Sequence, residues 1–187
     1  AVLKKSPGPV VINCSTSCLT VKLAEQHGSS CTLSAVGEAN VVDEMLQKNA
    51  ILGGEGNGGV IDPRVGLVRD SFVAMALILE RMAEGGKLVP LADLIEDFPS
   101  LTIKKTKLVL PSGWSHSDIE ESFHRVAHAF PQATVSRLDG VRVECADGWV
   151  LARASNTEPI VRIIAEATDE QRATSIIEQA RKALLAQ

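Results

Sequence analysis

The stretch "RASNTEPIVR", residues 153–162, puts two arginines and three short polar side chains between apolar runs. Ser155, Asn156 and Thr157 supply hydroxyl and amide donors on a turn-forming backbone, and Pro159 stiffens the exit. Arg153 precedes the turn and Arg162 lies three residues beyond Pro159. A loop between two strands would bring both guanidinium groups towards one point, with backbone amides between them. A phosphate dianion requires such a set: charge-assisted, preferably bidentate hydrogen bonds and a nest of amide donors. The same residues also read as an Asx/Ser turn whose arginines are solvated or pair with Glu158 and Glu166. Spacing alone leaves both readings open.

A second stretch, "GGEGNGGVIDP" at 53–63, has five glycines in its first seven positions. Such a backbone takes unusual dihedrals or approaches a ligand closely. Glu55 and Asn57 are the polar side chains among those glycines. An acceptor-only carboxylate beside a mixed donor and acceptor amide suits sugar hydroxyls. A flexible turn between strand and helix explains the glycines equally well. The Gly-Lys-Ser/Thr ending of a phosphate-binding P-loop is missing.

These stretches need elements to hold them. "GPVVIN" (8–13), "SCTLSAV" and "AILGG" read as buried strands. Between them, "STSCLTVKLAEQHG" (15–28) reads as a helix with N-cap choices at Ser15, Thr16 and Ser17, and "NVVDEMLQKN" as a shorter one. "DSFVAMALILERMAEGG" (70–86) is the strongest helix signal, with Asp70 as cap and Gly85-Gly86 as terminator. Strands alternating with helices in this way predict an α/β layered unit. Near Phe98-Pro99 the pattern changes. "LTIKKTKLVLP" alternates apolar and polar residues, a capped amphipathic helix follows up to Pro131, and Asp139-Gly140 and Asp147-Gly148 mark consecutive hairpins. One more strand, "IVRIIAEA", leads into a long closing helix. The expectation is a three-layer α/β/α domain with a mixed sheet over 1–98. A small α+β domain over 99–187 would follow, its sheet mainly antiparallel and four-stranded with helices packed on it.

Composition bounds the partners. The 187 residues are 45% hydrophobic and 22% charged, with a net charge of −4 from 19 basic and 23 acidic residues. Neither nucleic acid nor an anionic membrane is an expected partner. No charge-free apolar stretch approaches the ~18 residues of a membrane span, and no secretory signal follows the first lysines. The missing initiator Met and early entry into a strand-like run suggest a piece of something longer. The Cys14 and Cys18 spacing is a weak metal or redox hint with no CxxC, second pair or His cluster beside it, and with Cys31 and Cys145 these are expected to be reduced thiols of a cytoplasmic protein. His124 and His128 lie one helical turn apart with no evident third ligand, so a plain helix face is expected.

Taken together, "GGEGNGG", "RDSFVAMALIL" and "DGVRVECADGWVLARASNTEPIVRIIAEA" closely resemble the alpha-D-phosphohexomutases, the superfamily of phosphoglucomutase, phosphomannomutase and phosphoglucosamine mutase. The resemblance runs from "VVINCSTS" to the final helix. Members have four domains, and this chain resembles the third and fourth. The resemblance implies that Glu55, Gly56 and Asn57 grip hexose hydroxyls, with Gly37 and Glu38 of "VGEAN" as a further substrate-facing loop. It implies that Arg153, Ser155, Asn156, Thr157 and Arg162 hold the non-reacting phosphate. The family reaction moves a phosphoryl group between the C1 and C6 oxygens of a hexose through a bisphosphorylated intermediate, using a phosphoserine in domain 1 and Mg2+ held in domain 2. Neither the serine motif nor the Asp-Gly-Asp-x-Asp-Arg metal loop occurs here, so no catalytic or metal-binding residue is expected in this chain and the implied partners are a hexose phosphate and domains 1 and 2. A local departure is Ser17-Cys18, where many relatives carry a basic residue. A stand-alone sugar-phosphate-binding or regulatory module is the alternative.

Overall fold

Val10–Asn13 (β1) is buried along its whole length, as a strand flanked on both edges and covered on both faces must be. In the computed structural model, which describes residues 1–96, 98–155 and 157–186, Cys31–Ser34 (β2) and Leu52–Gly54 (β3) pair with it in parallel. Val60–Ile61 (β4) closes the sheet antiparallel to β3, giving the mixed order β2-β1-β3-β4. Side chains alternate between the faces. Val11 packs with Val41 and Met45 of Glu38–Lys48 (α3), and with Ala50 and Ile61. Val10 and Ile12 pack instead with Leu3 of Val2–Lys5 (α1) and Ala24 of Leu19–Gln26 (α2). Helices therefore cover both faces of a mixed sheet, the three-layer arrangement read from the sequence.

Helix Ser71–Met82 (α4) starts where expected: the Asp70 carboxylate accepts from the Phe72 and Val73 amides. It ends before Gly85 and Gly86, both at positive φ, and Leu91–Ile95 (α5) follows. None of the α4 residues is buried, and Phe72, Met75 and Leu79 are exposed. One expectation is corrected at 15–18. The helix begins only at Leu19, because the Ser15 and Thr16 hydroxyls bond to Asn13 instead of capping it. This compact unit, Ala1–Pro99, is followed by a second, Ser100–Gln187.

In the second unit the sheet runs β5-β9-β8-β7-β6, formed by Thr102–Val109 (β5), Thr134–Ser136 (β6), Val141–Cys145 (β7), Gly148–Ala154 (β8) and Ile160–Ala167 (β9). All neighbours are antiparallel. It has five strands, not four, because the short run Thr134–Ser136 finds a pairing edge on β7. His116–His128 (α6), with a Ser115/Asp118 capping box, and Glu170–Leu185 (α7) bury Phe123, Val126, Ile176 and Leu184 against Val143, Val150, Val161 and Ile163. Alternation sends Arg142, Trp149, Arg153, Arg162 and Glu166 to the opposite face. There the Arg142 guanidinium stacks 3.9 Å from the Trp149 ring centroid, and the indole N–H donates to Glu166 at 2.8 Å.

Candidate functional site

In the first unit, polar groups gather at the carboxyl ends of the parallel strands, where open α/β sheets hold ligands. Asn13 ends β1, and its Oδ1 accepts from the Ser15 amide, the Ser15 hydroxyl and the Thr16 hydroxyl at 2.8–3.0 Å. Its Nδ2 donates to Glu55 Oε1 at 2.6 Å, and the Gly37 amide donates to the same oxygen at 3.0 Å. Gly56 lies against this turn: a Cβ there would sit 3.1 Å from the Thr16 Cα, a backbone neighbour that cannot easily yield. The loops after β1, β2 and β3 thus meet on one carboxylate.

Arg69 completes the cluster. Its Nη1 lies 2.9 Å from Glu55 Oε2 and donates to Asn57 Oδ1 at 2.7 Å. Its Nε and backbone amide both donate to Glu38 Oε2, at 2.9 and 3.1 Å. These hydrogen bonds hold the Glu38 carboxyl below the usual carboxylate range. Gly37, Glu38, Glu55 and Asn57 are therefore brought together, but not as free ligand contacts. Glu55 is 9% exposed and organises its neighbours. Asn57 is exposed. Sequence reasoning missed both Asn13 and Arg69. The available signal was electrostatic: two carboxylates near the glycine loop need a cation if either is buried.

In the second unit, the β8–β9 hairpin sets Arg153 directly opposite Arg162, one pair back from Ala154 and Val161. The Ser155 amide donates to Ile160 O at 2.9 Å and closes the loop. Within it, the Thr157 amide lies 3.4 Å from the Ser155 hydroxyl. Asn156, part of the expected set, lies outside the described residues. Arg153 Nε donates to Asp139 Oδ2 at 2.9 Å, with the two side chains 15% and 18% exposed. Arg162 meets Glu158 at 3.6 Å with both side chains half exposed. Each arginine has a carboxylate, as the turn reading expects, and the two share one face, as an anion site needs. Asp139 was read only as a turn residue, yet it orients Arg153. The neighbouring Gly140 has φ +71, and a Cβ there would run into the Ala152 carbonyl oxygen, so glycine alone permits the bend that positions Asp139.

Among the described residues no group of three or more His, Cys, Asp or Glu is arranged to hold a metal ion. His128 Nδ1 lies 2.8 Å from the His124 carbonyl, within the helix. None of the four cysteines forms a disulfide; Cys14 is buried and the others are partly buried. Burial, with help from Glu25, pushes the Cys31 thiol up to about 11.

The family profile "Phosphoglucomutase/phosphomannomutase, alpha/beta/alpha domain III" matches residues 1–101, and the C-terminal domain of the same family matches 116–183. The chain is 34% identical to a phosphoglucomutase/phosphomannomutase of Thermococcus kodakarensis, covering 98% of this chain and 40% of the relative. It is 31% identical to a probable phosphoglucosamine mutase of Methanopyrus kandleri, covering 92% of this chain and 37% of that relative. The chain thus spans well under half the length of these curated relatives. A solved structure of a phosphoglucomutase/phosphomannomutase family protein from Burkholderia thailandensis superposes with a TM-score of 0.77 at 25% identity, over 97% of this chain and 38% of that one. The chain belongs to the phosphoglucomutase/phosphomannomutase family, carrying its third and C-terminal domains.

Proposed function

We propose that this chain is the substrate-binding part of a phosphohexomutase that interconverts hexose 1-phosphate and hexose 6-phosphate through a bisphosphorylated intermediate. Arg153, Arg162 and the Ser155–Asn156–Thr157 loop hold the phosphate that is not reacting. Asn57 and Glu38 meet hexose hydroxyls, with Gly37, Glu55 and Gly56 shaping their loops. The observation that carries this reading is the register of Arg153 against Arg162 beside the 155–157 loop. A clamp built of charge and amides suits a reaction in which either phosphate must be held in turn, because it does not demand one orientation of the sugar.

The phosphoserine and Mg2+ belong to preceding domains of the same polypeptide, so the chain alone binds and does not turn over substrate. Its own residues offer no metal cluster among those described. Exposed Phe72, Met75 and Leu79 on α4 support a chain that packs against more polypeptide. The cytoplasm, where sugar phosphates and reduced thiols coexist, is the proposed location.

Amide NMR titration of the chain with glucose 1-phosphate, with inorganic phosphate as control, tests the reading. Both ligands are expected to shift Ser155 and Thr157, and only the sugar phosphate to shift Gly37, Glu38 and Asn57. Mutase turnover by the chain alone would overturn the division of labour. Phosphate shifts without any sugar-dependent response would favour a stand-alone phosphate-binding module.

A further inference from the structure

The face of the second unit's sheet turned away from its helices carries a row of like charges. Register sets Lys107 of β5 opposite Arg162 of β9, and Arg162 opposite Arg153 of β8. Leu108, Val161, Ile163 and Ala152, their neighbours along the strands, lie in the helix-covered core. Lys107, Arg162 and Arg153 therefore share the other face. Adjacent Cα atoms in such a row are about 4.5–5.5 Å apart. Asp139 pairs with Arg153 and Glu158 with Arg162. Lys107 is exposed and has no carboxylate partner among the described residues.

Like charges placed directly opposite one another destabilise a sheet. Three cations against two carboxylates thus cost the empty fold something that a bound anion would return. The row lies beside the hairpin loop, so the anion that relieves it is the one the loop holds. Resting on the phosphate reading of that loop, we infer that Lys107 is a third cationic arm of the phosphate site. Its ammonium, a mobile point charge on a flexible stem, swings onto the dianion held by the two arginines. A flexible arm follows either phosphate of a ligand that reverses its orientation, where a third rigid fork would favour one.

β5 is also an edge strand, and lysines on edges discourage pairing with other chains. That role predicts no change in phosphate affinity when Lys107 is replaced. The two are separated by titrating inorganic phosphate into the 187-residue chain and its K107Q, K107R and K104Q variants, following Ser155 and Thr157, with thermal melts in parallel. Lys104 supplies the same charge change on the other face, where it pairs with Glu170. The expected result is phosphate binding weakened about two- to fivefold in K107Q, at the scale of one favourable exposed ion pair. K107R should restore it, and K104Q should leave it near the parent value. Without phosphate, K107Q should melt no lower than the parent. Unchanged affinity in K107Q, with the parent's shifts intact, overturns the role of Lys107 and leaves the clamp standing. Weaker binding that tracks a lower melting temperature and is not rescued by K107R overturns it too. If phosphate shifts neither residue in the parent, the clamp itself fails and Lys107 with it.

Discussion

Arg153 shows how one side chain can be committed before any ligand arrives. Its Nε donates to Asp139, which fixes the plane of the guanidinium. Truncating Arg153 to Ala is expected to weaken phosphate binding by about 2–4 kcal/mol, the range for losing one partner of a desolvated charged pair. Asp139→Asn should retain the turn, since Gly140 makes it, yet lose part of that binding because the fork is no longer held. Calorimetric titration of both variants with phosphate checks the order: Arg153→Ala worst, Asp139→Asn intermediate. Equal affinity in Asp139→Asn and parent would mean that Arg153 orients itself. Glu38 offers a pH reading at the same scale. Hydrogen bonds from Arg69 lower its folded pKa, so the bridge contributes stability above the ordinary glutamate value of about 4.3 and loses it as pH falls through the lowered one. The Glu38 carboxyl carbon should titrate below that value in the parent and return to it in Arg69→Gln.

Arg69 also belongs to a larger unit, the junction between the glycine loop and α4. It lies one residue before the Asp70 cap, so the start of that helix fixes where its guanidinium reaches. The side chain of Glu55 is 4% exposed and that of Arg69 31%. Removing the arginine therefore leaves a buried carboxylate without its cation, at a cost of about 1–3 kcal/mol. Partial exposure of Arg69 keeps this below the cost of breaking a fully buried pair. Arg69→Ala should lower the urea midpoint of the first unit and weaken glucose 1-phosphate more than inorganic phosphate. Arg69→Lys should not restore the sugar response, since one ammonium cannot replace a fork that meets Glu38, Asn57 and Glu55 together. The contrast with α4 itself shows what sequence can tell. Asp70, the apolar run and the two glycines declare the helix locally, and the alternation in "LTIKKTKLVLP" likewise declares β5. The bond from Asn13 to Glu55 spans 42 positions and Arg69 to Glu38 spans 31. Such partners are set by which strand ends become neighbours, and no local pattern encodes that. Three-residue β6 is marked in the sequence by the hairpin at Asp139-Gly140, but whether so short a run joins the sheet is decided by the edge that β7 offers it.

For the chain as a whole, α4 and α5 raise a question of solubility. Phe72 is 81% exposed, and Leu79, Leu91 and Ile95 are each about half exposed or more. A surface helix normally turns such residues inward, and contiguous apolar exposure on this scale marks an interaction surface. In a polypeptide with preceding domains, burying these side chains would help hold the substrate-binding part against the part that carries the phosphoserine. Replacing Phe72 and Leu79 together by Ser should then have opposite effects in two settings. In the 187-residue chain it should reduce binding of a hydrophobic dye and any self-association, and leave phosphate affinity unchanged. In the longer polypeptide it should lower the melting temperature, because each buried large apolar side chain contributes about 1.5–3 kcal/mol, and mutase turnover should fall with it. Dye fluorescence and sedimentation velocity read the first setting, and calorimetry with an activity assay reads the second. Equal stability of the longer protein with and without the two changes would mean that α4 faces water there as well, leaving the apolar face to some other contact.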